Sequence, residues 1–298
     1  MNKIGLNIDS RRIDGDLELL RRDLALIKEQ GFDVVEIPVN GLDAIVNGTL
    51  RRKQVERIKA VLDQFELEYA VHAPNSLNLR DFRYPETHRK VFEACIQFTA
   101  NIGAEKLIYH QGRLIRWVEE VEEHSITEEE AREIEVEELF ELGKMAESEG
   151  VLICIENVHS SITHLVRLVR DVGLKSVGIT YDFGHSYINS KRIGYDFIKS
   201  IHLAKPFIYH THVNDNFGKG EAEVRVPYIE GMPMGIGDLH LPIGWGAIPY
   251  EEVFKAMEGY KGVYVIELDR RFFEDISVVA EEALKNLKGL LKKITVKV

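Results

Sequence analysis

The stretch "VEELFELGKMAESEGVLICIE", residues 136 to 156, decides the reading of the fold. Its first part repeats apolar residues at helical spacing and closes on Gly150, the residue type expected just past a helix C-terminus. Its second part, "VLICIE" (151 to 156), is a short apolar run that ends on a glutamate. A helix feeding into a near-continuous apolar strand indicates a parallel sheet with helices on its faces, because such strands are buried on both sides.

The same alternation runs along the whole chain. Strand candidates are "KIGLNI" (3 to 8), "DVVEIPV" (33 to 39), "LEYAVHA" (67 to 73), "KLIYHQ" (106 to 111), "VLICIE", "VGITYDF" (177 to 183), "FIYHTHV" (207 to 213) and "GVYVIEL" (262 to 268). Helix-period segments such as "LELLRRDLALIKEQG", "RKQVERIKAVLDQF" and "HRKVFEACIQFTANIG" lie between them. Eight such units in 298 residues match the count and size of a (β/α)8 TIM barrel. No linker-like or low-complexity segment interrupts them, so residues 1 to 298 read as a single α/β domain. An open doubly wound sheet is the alternative, but the first strand-to-helix turn, "NIDSRRIDGD", lacks the Gly-x-Gly-x-x-Gly phosphate fingerprint.

Composition narrows the function classes. A formal net charge of -11 argues against a broad basic surface for a nucleic-acid backbone. The acidic run "VEEVEEHSITEEEAREIEVEE" (118 to 138) reads as a solvated helix face. No apolar run approaches the roughly 20 residues of a membrane span, and the only cysteines are Cys95 and Cys154, the latter inside an apolar strand. A cytoplasmic enzyme is expected, with no membrane partner and with self-association left open; the Asn47-Gly48-Thr49 sequon reads as chance.

In barrels of this kind the active site lies at the C-terminal ends of the strands. Here strand three ends at His72, four at His110, five at Glu156, six at Asp182, seven at His212 and eight at Glu267. Any one of these could be a hydrogen-bonded histidine or a helix-capping acid, but six at equivalent positions point to a metal-binding mouth. Just beyond the strands lie His185 in "YDFGHSY" and the pair Asp238 and His240 in "GDLHLPIGWG" (237 to 246). Alternate residues of an extended segment project to one side, so this pair can reach the same cluster if the loop folds over the mouth.

Imidazole and carboxylate without thiolate suit a divalent ion such as Zn, Mn, Mg or Co, and nine ligands exceed the needs of one. One to three ions are therefore expected. His210, two residues before His212, reads as a supporting or alternative ligand, or as a buried barrel histidine. Trp245 reads as a pocket wall, and Asn157, Asn214 and Asn216 as donors to substrate hydroxyls or as turn residues. Arg113, Arg116, Lys219 and Arg225 are the basic candidates for a phosphate.

These residues carry a resemblance. The chain resembles the xylose-isomerase-like TIM-barrel superfamily through "VHAPNSLNL" (71 to 79), "YHQG" (109 to 112), "IENV" (155 to 158), "DFGH" (182 to 185), "HTHVND" (210 to 215), "GDLHLPIGWG" and "IEL" (266 to 268). For sugar epimerases of that superfamily, the resemblance implies one divalent ion on Glu156, Asp182, His212 and Glu267, with the two glutamates also moving the proton. For endonuclease IV enzymes it implies further zinc ligands at His72, His110, His185, Asp238 and His240, completing a trinuclear site. The nucleases' DNA-penetrating Tyr corresponds to Asn75. Their damage-reading loop is replaced by "PVNGLDAIVNGTL" (38 to 50), and the segment 216 to 237 is long, like a lid over a small molecule.

The expectation is thus a metal-dependent isomerase or epimerase of a sugar or sugar phosphate. Glu156 and Glu267 would be acid/base residues, His185 would orient a substrate oxygen, and Asn75, Asn157, Asn214 and Trp245 would meet the substrate. A metal-dependent phosphoester hydrolase acting on abasic DNA is the alternative, and a binding protein without turnover a third reading.

Overall fold

Eight parallel strands close into a barrel in which each strand pairs with its neighbours in chain order, and the last pairs with the first. They are β1 (Ile4–Asn7), β2 (Val34–Pro38), β3 (Glu68–His72), β4 (Lys106–His110), β5 (Leu152–Glu156), β6 (Val177–Asp182), β7 (Ile208–Val213) and β8 (Tyr264–Ile266). This is the barrel expected from the alternation of runs. The computed structural model describes residues 2–114, 126–220, 228–274 and 276–295. Arg116, Arg225 and part of the acidic run lie outside the described residues.

Helices form the outer layer for reasons visible in their sequences. Helix α1 (Leu17–Gln30) starts on Asp16, whose side chain accepts from the Glu18 and Leu19 amides, and stops at Gly31 with φ +83°. Helix α2 (Arg52–Leu62) and α3 (Pro85–Asn101) follow β2 and β3, and α4 (Glu128–Ser148) begins with a capping box between Thr127 and Glu130. Helix α5 (Ile162–Val172) buries Ile162, Leu165, Val166, Leu168, Val169 and Val172, one apolar stripe laid on the barrel. Helices α6 (Phe183–Ile193) and α7 (Phe197–Ala204) both lie between β6 and β7; α8 (Tyr250–Ala256) precedes β8, and α9 (Ile276–Thr295) ends the described chain. A two-residue hairpin, Ile45–Val46 with Thr49–Leu50, occupies the loop after β2. Cys95 and Cys154 are free and buried.

The described part of the acidic run presents Glu128, Glu129, Glu130, Glu133 and Glu137 to solvent as read, and departs from that reading at one residue. Glu135 is fully buried, not solvated. From α4 it accepts from the Tyr109 hydroxyl at 3.1 Å, the Gly112 amide at 2.7 Å and Arg80 Nε at 2.6 Å. Nearby, Asn78 donates to the Arg113 carbonyl at 2.8 Å and accepts from the Arg113 amide at 3.0 Å. Glu135 and Asn78 therefore tie the loops after β3 and β4 together, beside His72 and His110. A side chain at Gly112 would place its Cβ 2.8 Å from Glu135 Oε1, which is why the strut needs glycine there.

Removing Glu135 leaves the nearly buried Arg80 guanidinium with only the exposed Glu128 carboxylate, 3.6 Å from Nη1, and takes the acceptor from the Tyr109 hydroxyl and the Gly112 amide. Glu135→Ala should lower stability by about 3–5 kcal/mol in urea denaturation. A loss below about 1 kcal/mol would mean that the strut does not hold these loops.

Candidate metal centre

Strand register sets the centre's floor. His110 lies opposite Glu156 across the β4–β5 pair, and Asp182 opposite His212 across β6–β7, so neighbouring strands deliver ligands at one level. Glu267 follows β8 by one residue, its amide donating to the Val213 carbonyl at 3.0 Å; the strand is shorter than its sequence reading of 262 to 268 by two residues at each end.

The residues fall into three adjacent groups. His212 Nδ1 sits 3.2 Å from Glu156 Oε1, 3.2 Å from Glu267 Oε2 and 3.8 Å from Asp182 Oδ2. His72 and His110 direct Nε2 to Glu156 Oε2 at 3.4 and 3.2 Å. His185 Nε2 and His240 Nε2 approach Asp238 Oδ2 at 2.8 and 3.0 Å. Glu156 joins the first two groups, and His185 Nδ1 reaches it from the third at 3.2 Å. His240 Nδ1 meets Glu267 Oε2 at 3.2 Å.

The loop after β7 brings Asp238 and His240 inward through a bridge between Asp215 and Leu241. Leu239 is buried between the two ligand candidates, and His240 takes φ +42° to turn its ring toward Glu267. Buried Asp215 holds the chain beyond that bridge, accepting from the Gly244 amide at 2.9 Å and the Ile248 amide at 3.2 Å. A Cβ at Gly246 would stand 2.3 Å from Asp215 Oδ1, so the "GWG" glycine permits a close approach.

The donor set fits a divalent cation. Glu156 Oε2, Glu267 Oε2 and His185 Nδ1 are buried with no hydrogen-bond partner, although nitrogen or oxygen atoms surround them. Two ligand atoms each roughly 2.1 Å from a tetrahedral ion stand about 3.4 Å apart, close to the separations here. Charge agrees. Burial, together with the facing Glu267 and Glu156 carboxylates, pushes the Asp182 carboxyl up to about 6. His185, His212 and His240 are held well above the usual imidazole range by facing carboxylates, although burial opposes this.

Other candidates have different partners. Asn157 clamps the Asp182 backbone, accepting from its amide at 2.8 Å and donating to its carbonyl at 2.9 Å. Asn214 donates to Asp182 Oδ2 at 2.8 Å, and Asn216 to the Gly184 carbonyl at 3.1 Å. These three shape the ligand Asp182 and its helix. Trp245 departs from the pocket-wall expectation: its Nε1 donates to Glu282 on α9 at 2.9 Å and its ring packs on Phe272. Asn75 and Arg113 do line the mouth, a cavity of about 480 Å³, whereas Lys219 is exposed away from it. Sequence reading missed Glu36, buried in β2, which accepts from His210 Nε2 at 2.9 Å and His212 Nε2 at 3.0 Å. The available signal was a charged residue inside the otherwise apolar run "DVVEIPV".

Residues 24–292 match the family described as xylose isomerase-like TIM barrel. The chain belongs to this family. It is 28% identical over 267 residues to an uncharacterized protein of Methanocaldococcus jannaschii, MJ1311, covering 84% of this chain and 79% of that protein. Among solved structures, a D-tagatose 3-epimerase-like protein superposes with TM-score 0.72 at 23% identity, covering 99% of each chain. D-Psicose 3-epimerase from Clostridium cellulolyticum H10 superposes with TM-score 0.72 at 17% identity, covering 97% of this chain and 99% of that one. At these identities the likeness is one of fold.

Adding zinc or manganese to chelator-treated protein should raise its melting temperature with concentration. At a free cation concentration a hundredfold above Kd the stabilisation is about 2.7 kcal/mol. A melting temperature indifferent to both ions would remove the metal assignment.

Proposed function

We propose that the protein is a divalent-metal-dependent isomerase or epimerase of sugars or sugar phosphates. The observation that carries this reading is the pair Glu156 and Glu267, each 3.2 Å from His212 Nδ1 and each with a buried carboxylate oxygen lacking a hydrogen-bond partner. Two carboxylates this close to one candidate ligand nitrogen can serve as base and acid for a single substrate carbon. The sugar-epimerase names of the superposed structures support the same substrate class.

Glu156, Asp182, His212 and Glu267 would hold the cation. Bound there, it would supply Lewis-acid polarisation of a carbonyl and its neighbouring hydroxyl, acidifying the C–H between. One glutamate accepts that proton and the other returns one; return to the opposite face inverts the centre. Asp182 stays fixed through Asn157 and Asn214, so the set keeps its shape as charge moves. His185, tied to Asp238 through Nε2, presents Nδ1 toward Glu156, where it can orient a substrate oxygen. The mouth carries Ser10, Asn40 and Asn75, polar groups suited to a polyol, in a volume typical of small-molecule sites. Arg113 stands at the same rim with its backbone clamped by Asn78, and no carboxylate among the described residues pairs with its guanidinium. It is the phosphate contact if the sugar is phosphorylated.

One observation favours a second reading, metal-dependent phosphoester hydrolysis. The groups His72–His110–Glu156 and His185–Asp238–His240 flank the four-ligand set, giving donors for more than one cation. Against duplex DNA stand the charge of -11 and Asn75 in place of the nucleases' Tyr.

Metal-loaded protein incubated in deuterium oxide with ketoses and their phosphates should exchange one carbon-bound proton and yield an epimer or isomer, followed by NMR. Glu156→Gln and Glu267→Gln should each lower that rate by at least about 10²-fold. Retention of more than about a tenth of the rate would remove that glutamate from proton transfer. Efficient incision of an abasic duplex at physiological salt, without sugar turnover, would put the hydrolase reading first.

A further inference from the structure

We infer that Glu36 is a positioning residue: it fixes His212 as the Nε2–H tautomer, so that Nδ1 is the atom offered to the cation. This rests on the metal-dependent part of the proposed function and adds a residue to it.

The geometry leaves little freedom. One carboxylate oxygen, Glu36 Oε2, lies 2.9 Å from His210 Nε2 and 3.0 Å from His212 Nε2. An ionised carboxylate only accepts, so both Nε2 atoms must donate. The two rings stand 85° apart with centroids at 5.5 Å, an arrangement that lets both reach one oxygen. With Nε2 committed to a proton, a neutral His212 has its lone pair on Nδ1, which faces Glu156, Asp182 and Glu267.

Register explains why the contact is available. Pro38 pairs with His72, which places Glu36 two residues nearer the barrel floor, and His210 lies the same two residues below His212. Glu36 and His210 thus sit beneath the ligand level and meet across the barrel interior. A metal-bound histidine whose other nitrogen donates to a carboxylate is oriented and made more basic by it, and losing such a partner typically weakens metal affinity by about 10- to 100-fold.

The test compares wild type with Glu36→Gln and Glu36→Asp by competitive zinc titration and metal counting, with melting curves in chelator. Wild type should bind zinc, and Glu36→Gln should bind it about 10- to 100-fold more weakly. The number bound at saturation and the chelated melting temperature should stay unchanged. Glu36→Asp keeps the charge but shortens the reach, and should fall between the two. On zinc-loaded wild type, ¹⁵N-histidine NMR should give His212 as Nε2–H with zinc on Nδ1, a readout independent of any variant's folding. Zinc on Nε2, or equal affinity in wild type and Glu36→Gln, would overturn the positioning role alone. So would loss of one whole zinc at saturation in Glu36→Gln, which makes Glu36 a ligand, or an equal drop in the chelated melting temperature, which makes its role structural. Wild-type protein that binds no cation would overturn the metal reading itself and the role of Glu36 with it.

Discussion

Glu156 places a fully buried carboxylate at the mouth of the barrel, and much of the surrounding structure answers the cost of that burial. An isolated carboxylate in such a setting is penalised by several kcal/mol unless charge and hydrogen bonds compensate. Here His72, His110, His185 and His212 approach it from four separate strand ends or loops, at 3.2 to 3.4 Å. Those contacts hold its carboxyl well below the usual range despite burial. Because the four imidazoles come from different elements, the carboxylate is also a tether: it draws the C-terminal ends of β3, β4, β5 and β7 and the start of α6 toward a common point.

Around that point lie residues that fix where the candidate ligands stand. Asn157 and Asn214 hold Asp182, which also caps α6 by accepting from the His185 amide at 2.5 Å. One side chain thereby sets both a candidate ligand oxygen and the start of the helix that carries His185. Asp215 gathers the amides of the loop after β7, which fixes the chain just beyond Asp238 and His240. Glu135 and Asn78 do the same for the loops after β3 and β4. Loop residues positioned this firmly behave as parts of the barrel, which a site needing sub-ångström placement requires.

The fold was legible because parallel strands buried on both faces leave an unmistakable run of apolar residues, and eight of them punctuated by helices admit few architectures. The strand-end candidates were legible for the same reason: His110 and Glu156 are polar residues that close apolar runs. Glu36 and Glu135 were not, since each needed a partner far away in sequence, His210 at a separation of 174 and Arg80 at 55. Asparagines 157 and 214 read equally as donors to substrate hydroxyls or as turn residues because an amide's partner cannot be told from its position; in the structure both hydrogen-bond to Asp182. Trp245 was read toward the pocket from its glycine neighbours, but those glycines serve the close packing against Asp215 and Asn286, leaving the indole to face α9.

The mouth's charge balance links these features. Five carboxylates, Glu36, Glu156, Asp182, Asp238 and Glu267, share one region with the six imidazoles of His72, His110, His185, His210, His212 and His240. Without a cation, protons on the imidazoles are the only positive charge within the cluster, and the raised affinities of His185, His212 and His240 for a proton express that demand. A histidine must be neutral to ligate, so a cation entering the set takes over the compensation and releases protons. The fold can therefore form around protonated imidazoles, while rising pH strips those protons, strengthens the repulsion among the carboxylates and increases what a cation contributes. On the role inferred for Glu36, its bond to His212 Nε2 would keep that proton in place, so the proton given up to a cation would come from Nδ1, the atom that faces Glu156, Asp182 and Glu267.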